Sequence, residues 1–512
     1  MKQDRHNVLS HAAIYLVARG APGIIAFLSI PLFSRLLSPA DFGQYALVVA
    51  TAALANALLF QWLRLSLVRY LPAYRENQTA LQSTIVSVSL SLIVISGAVL
   101  AVLWLLPFSA WWKAYLVPCW VLLAVQSLFE LACEYTRAAI QPWRYMGMQI
   151  AKSFATVTLG VLLIVFGAAW RGPIFGLVIG MAAAVAWVWG SDWRGIRPTI
   201  DREILRRLMH YGIPLSLTVA LTVVISSSDR FLIAWLLGKE SAGYYSVAVD
   251  FTSQTLTLLM MAIQLALFPI AVRAFEEHGK EAAQEKMKLN ASLLMGIGVP
   301  AAVGLVVLAP GISNAVLGRD FRGPAAHIMP LVAFGTFLAG FKAYHFDSAF
   351  QFAHRTIHQV WIVLIAAVVN IVLNVIAIPR YGINGAAAAS VIAYLISIVL
   401  TIQLGRRYFV LPFPRSASLQ VLLAAAVMAA LLYPLRQHQS IAAVALEIIA
   451  GALVYALVLL SFNFLDARNL LIKKLAPGAD LQQNAEVHST SDDRARARST
   501  EAVVSLSRGT LV

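Results

Sequence analysis

Runs of about 20 mostly apolar residues, the length that crosses the hydrocarbon core of a bilayer as a helix, recur fourteen times along this 512-residue chain, from 9–36 to 439–463. No other sequence feature constrains folding as strongly. Inside lipid every backbone N–H and C=O must be paired within the chain, so such runs are helices. Composition agrees: 60% of the residues are hydrophobic and 12% charged, against about 25% charged in soluble proteins. We expect an all-α integral membrane protein. The first run is expected to remain as a span, because it is too long for a signal peptide and Arg19 interrupts it.

Several chemistries are excluded. Cys119 and Cys133 lie in one run, separated by about 21 Å of helix rise, too far for a disulfide. No Cys/His set has zinc spacing. The Gly-Lys pairs at 238–239 and 279–280 lack the upstream glycine of a phosphate-binding loop. The net charge of +15 would suit nucleic acid, but its distribution does not. With a cytoplasmic N-terminus, inside segments before the C-terminal tail hold 20 Lys and Arg, and outside loops hold 8. The excess is a topology signal that places both termini in the cytoplasm.

The connection 192–209 sets Ile200, Ile204, Leu205 and Leu208 on one face, with Arg202, Glu203, Arg206 and Arg207 around it. It reads as an amphipathic helix on the inner leaflet. The expected organisation is a six-helix lobe over 1–191, this linker over 192–209, a second six-helix lobe over 210–404, two additional helices over 405–463 and a disordered polar tail over 464–512. A repeat sits at the division. Residues 36–45, LLSPADFGQY, align with 236–245, LLGKESAGYY, so that Gly43 matches Gly243 and Tyr45 matches Tyr245. Six helices between the copies make the halves parallel, as in transporters that bind substrate between their repeats.

RLLSPADFGQYAL at 35–47, SSSDRFLIAWLLGKESAGYYSVA at 226–248 and NIVLNVIAIPRYGINGAAAASVIAYL at 370–395 resemble the polysaccharide-exporter branch of the MOP superfamily, the Wzx-type lipid-linked oligosaccharide flippases. The resemblance runs to about residue 463. It implies two lobes in a V-shaped arrangement in a bacterial inner membrane. It also implies a substrate of undecaprenyl-pyrophosphate carrying an oligosaccharide, moved from inner to outer leaflet by alternating access. The implied partners are that lipid-linked oligosaccharide, membrane lipids and a polysaccharide polymerase and co-polymerase, around a monomeric transporter. No cofactor or metal is implied beyond a coupling ion, H+ or Na+.

The motifs do not identify ligand contacts, so these are read from charge. A charge at mid-membrane costs roughly 2.5–3.5 kcal/mol on insertion scales. Arg19, Arg64 and Lys342 are the candidates to line a cytoplasm-facing cavity and bind pyrophosphate; the alternative is snorkelling to the headgroups. Asp250, Gln254, Thr257, Met261 and Gln264 form a stripe that must face protein or water, so Asp250 and Gln254 are further cavity candidates. Asp229, Arg230, Asp250 and Glu130 are candidates for an intramembrane ion pair or for ion coupling. Arg230 lies eight residues before Gly238 and Asp250 eight after Ala242, so the two sit at one depth across a helical hairpin.

Three functions fit such a chain. A flippase needs a cationic cavity for an anionic headgroup. A multidrug antiporter of the MATE branch needs acidic residues to bind cations. A membrane polymerase or glycosyltransferase needs a sizeable outside loop, and the longest here, 311–324, is too short. The cationic bias of the cavity candidates favours the flippase.

Overall fold

The computed structural model describes residues 22–74, 78–106, 110–194, 196–438, 440–466 and 468; Arg19 and nearly all of the 464–512 tail lie outside them. Every regular element among these residues is a helix. In chain order they are α1 (Pro22–Leu36), α2 (Pro39–Leu59), α3 (Gln61–Tyr70), α4 (Gln78–Leu105), α5 (Ala110–Ala138), α6 (Pro142–Leu163) and α7 (Arg171–Ser191). Then come α8 (Arg202–Leu237), α9 (Lys239–His278), α10 (Lys280–Val307), α11 (Ala309–Val316), α12 (Arg322–Phe341), α13 (Ser348–Phe352), α14 (Ile357–Gly405), α15 (Arg415–Leu432) and α16 (Ile441–Ser461). Twelve of the described helical stretches are long and apolar enough to cross a bilayer, and α1 is a shorter apolar one. The 49-residue α14 is about 73 Å of helix, more than twice one crossing. It bends at Gly382, whose φ of +60° suits glycine. Counting it as two spans and adding α1 gives about fourteen.

The motifs prove to be helix junctions. Ser38 caps α2 by accepting from the Asp41 N–H at 3.1 Å, and Pro39 occupies the first turn, where a missing N–H costs nothing. In the second copy Gly238, at φ +89°, takes the place of Ser38. The two junctions pack against each other. A Cβ on Gly43 would lie 2.0 Å from the Lys239 carbonyl oxygen, and one on Gly243 would lie 1.9 Å from that of Pro39. Only backbones without side chains come this close. Arg35 completes the outer seam by donating to the carbonyls of Val316 and Ala315 at 3.1 and 2.9 Å.

The connection at 192–209 differs from expectation. Residues 196–201 are irregular and tied to α4, with the Thr199 N–H donating to Ser83 Oγ at 3.0 Å. Asp201 then caps α8 by accepting from the N–H groups of Glu203 and Ile204 at 2.8 and 3.1 Å. From Arg202 the chain is already the start of the 36-residue α8. Ile204 and Leu208 are buried in the core of the first helices rather than lying on the leaflet. At the end of the chain, α15 and α16 pack on α10, with Tyr455 Oη donating to the Gly296 carbonyl at 2.8 Å.

Candidate functional site

The helix that begins at Pro39 breaks at Phe60 and restarts as α3. The restart swings α3 against the inner ends of α5 and α8. Ser66 Oγ donates to the Leu208 carbonyl at 2.8 Å, and a Cβ on Gly212 would lie 2.2 Å from the Trp62 carbonyl oxygen. Beside this contact is a cavity of about 950 Å3. Its lining includes Arg64, Arg69, Arg137, Glu134, Tyr70 and Tyr211. The Tyr70 and Tyr211 rings meet edge to face, with centroids 5.8 Å apart.

Arg64 is the buried member of this set, 7% exposed. It pairs with Glu130 and donates to Gln61. Glu130 in turn accepts from Asn56 Nδ2 at 2.9 Å and Gln126 Nε2 at 2.7 Å. Even so, Arg64 Nε has no hydrogen-bond partner among the described residues. A buried N–H on a cation carries a desolvation penalty when unmet, so Arg64 is left under-satisfied on the wall of the cavity. Arg137 lies 2.5 Å from Glu134. Three guanidiniums thus face one lining carboxylate, Glu134.

A second polar assembly sits where α8, α9 and the two parts of α14 meet. Asp229 is buried and accepts from Tyr245 Oη, Ser390 Oγ and Asn374 Nδ2, each at 2.6 Å. Asn370 Oδ1 accepts from Ser228 Oγ at 2.8 Å and from Asn374 Nδ2 at 3.2 Å. Asn374 Oδ1 has no partner among the described residues. Next to Asp229 in sequence, Arg230 pairs with Asp250 across the α8–α9 hairpin.

The sequence candidates are therefore dispersed. Arg64 lines the cavity with Glu130 behind it, and Arg19 falls outside the described residues. Lys342 does not join Arg64. It is buried in the second half of the chain, with Nζ 2.7 and 2.9 Å from the two Asp347 oxygens. A π-helical turn over Lys342–Phe346 explains the pairing, since its i→i+5 geometry brings Asp347 beneath Lys342. Gln254 Nε2 contacts the Gly23 carbonyl at 3.4 Å; Asp250 is held by Arg230. Arg69, Arg137, Tyr70 and Tyr211 were missed as site residues. The two arginines carried only the topology signal in the sequence, and nothing there shows that the tyrosines converge.

Residues 32–326 match the family described as polysaccharide biosynthesis protein. Among curated relatives, an uncharacterised membrane protein of Methanocaldococcus jannaschii is 24% identical over 200 residues, 38% of each chain. The "Probable low-salt glycan biosynthesis flippase Agl15" of Haloferax volcanii is 22% identical over 284 residues, 54% of this chain and 58% of that one. These matches span less than two thirds of the relatives' own lengths. Among solved structures, the lipid II flippase MurJ in an inward closed conformation superposes with a TM-score of 0.74 at 15% identity, covering 90% of this chain and 100% of that one. An outward-facing MATE family transporter of the MOP superfamily gives 0.54 at 16% identity, covering 77% and 95%. At these identities the likeness is one of fold. With a family match over more than half its length, this multi-pass chain of MOP-transporter fold belongs to the polysaccharide biosynthesis protein family.

Proposed function

We propose that the protein carries an undecaprenyl-pyrophosphate-linked oligosaccharide from the inner to the outer leaflet by alternating access, for surface polysaccharide assembly. The observation that carries this reading is the cavity lined by Arg64, Arg69 and Arg137, with buried Arg64 under-satisfied on its wall; on this reading it opens to the cytoplasm. A pyrophosphate supplies several anionic acceptors, and charge-assisted bonds from guanidinium are among the strongest available. Arg69 and Arg137 extend the positive surface toward the cavity mouth, and Tyr70 and Tyr211 offer flat faces to the first sugar. The names of the Haloferax and MurJ relatives point the same way. This is transport without covalent chemistry, in a bacterial inner membrane with both termini cytoplasmic. The lobes 1–191 and 210–404 are the moving bodies, α15 and α16 travel with the second, and a polymerase with its co-polymerase receives the cargo.

Depleting the protein in its host tests the reading. Lipid-linked repeat units should accumulate while surface polymer is lost, and the accumulated glycan identifies the cargo. Unchanged lipid intermediates with altered drug sensitivity would overturn it in favour of cation-coupled drug export.

Within the same reading, Asp229 is where a coupling ion acts. Its buried carboxylate is ringed by the donors Tyr245 Oη, Ser390 Oγ and Asn374 Nδ2, with Asn370 Oδ1 behind Asn374, a setting in which a proton can be taken up and released or the donors exchanged for a cation. Asp229→Asn should remove the response of flipping in proteoliposomes to an imposed H+ or Na+ gradient, a loss of about tenfold, typical of one coupling energy. An Asn variant that follows the gradient like the parent would eliminate this role.

A further inference from the structure

The face of α8 turned away from the cavity carries its own pattern. Arg202, Arg206 and His210 recur every four residues and so stand above one another on the helix surface. Beside them Leu205, Met209 and Ile213 line a shallow cleft of about 480 Å3 that ends at Pro214. Met209 and Ile213 are 42% and 45% exposed. Neither Arg202 nor Arg206 has an ion-pair partner among the described residues, and the nearby Glu203 is engaged by Arg207. Counting down from the outer turn at Gly238, His210 lies about 42 Å along the helix, the thickness of a bilayer with its headgroups. The basic side chains therefore sit at the inner phosphate layer, with the apolar ones reaching toward the acyl chains.

We propose that this face binds an anionic phospholipid of the inner leaflet. Its phosphate is held by Arg202 and Arg206, with His210 supplying a further hydrogen bond, and one acyl chain lies along Leu205, Met209 and Ile213. Charge complementarity selects this occupant. Unpaired arginines at the membrane surface call for an anion, and the exposed apolar side chains beside them call for a chain attached to it. Inorganic phosphate meets only the first demand, and a zwitterionic lipid meets the second without the net charge. The site is independent of what the cavity carries. Yet the opposite face of the same turns holds Leu208, Tyr211 and Gly212 against α3 and the cavity, so a lipid here braces the helix at the level of the cargo.

The test uses the purified full chain, delipidated and then given phosphatidylglycerol, phosphatidylcholine or inorganic phosphate. Retained lipid is read by native mass spectrometry, and stabilisation by the unfolding midpoint. The parent should retain phosphatidylglycerol over phosphatidylcholine by about 25-fold, roughly fivefold for each arginine at a charged surface. Arg202→Gln/Arg206→Gln should lose that preference, and Arg202→Lys/Arg206→Lys should keep most of it. Equal preference in the Gln pair would overturn the proposal. So would equal retention of both lipids by the parent, or full stabilisation by inorganic phosphate alone, which would leave a free-anion site. Should the Gln pair fail to fold, the parent's comparison of the two lipids still decides.

Discussion

Arg64→Ala should lower flipping of a lipid-linked oligosaccharide in proteoliposomes by about a hundredfold or more, while Arg64→Lys keeps a measurable fraction. Truncating one member of a buried, hydrogen-bonded charge pair costs about 2–5 kcal/mol at a binding site, and lysine retains the charge without the guanidinium fork. The alanine variant also leaves Glu130, whose side chain is 30% exposed, without its cation, which destabilises the fold by less than the loss of a partner in a fully buried pair does. Loss of transport alone would therefore not separate binding from folding. Arg64→Gln/Glu130→Gln does, because it removes both charges while keeping the volume. That double variant should unfold within a few degrees of the parent and still fail to flip. If it transports at the parental rate, Arg64 is a structural residue and the pyrophosphate site lies elsewhere.

A comparable loss is expected from Gly43→Val or Gly243→Val. Each new Cβ would lie about 2 Å from a backbone carbonyl oxygen of the opposite junction, and backbone cannot swing aside as a flexible side chain does. Overpacking of this kind costs typically 1–3 kcal/mol and occasionally more; in the proposed transport cycle it falls on a seam that closes at each turn. The variants should reach the membrane yet flip below about a tenth of the parental rate, as expected for a loss near 1.4 kcal/mol or more. Cysteines placed at the outer seam should become more reactive to an impermeant thiol reagent. Parental reactivity together with parental transport would show that the close approach is dispensable.

Span number, the repeat and the Arg230–Asp250 pairing were legible because each depends on distance along one helix or across one turn. With the turn taken as 238–242, eight residues on either side give Arg230 and Asp250 equal depth. The Arg64–Glu130 pair was not legible, since α3 and α5 are brought together only by the break at Phe60. The Lys342–Asp347 pair was not legible either, because the π turn adds a residue to the period and so turns Asp347 under Lys342. The start of α8 was misread for another reason. Ile204 and Leu208 have the same spacing whether they face lipid or a neighbouring helix, and both environments are equally apolar. Arg69 and Arg137 were visible as charges, but a single sequence does not distinguish a cation that only orients a helix from one that also lines a cavity.

The two glycine junctions have a consequence for how such a molecule is put together. Pro39 meets Gly243 and Lys239 meets Gly43, and positions 39 and 239, like 43 and 243, are equivalent in the repeat. Each half thus presents the same patch to the other, which is the isologous contact of a twofold-symmetric dimer. A half-length chain with this turn could make the same contact with a second copy of itself. Duplication and fusion preserve that interface while freeing each half to diverge: the cationic cavity is lined chiefly by the first and the Asp229 cluster lies in the second. The glycines remain bound to the original symmetry, because neither can enlarge without displacing the backbone of its counterpart.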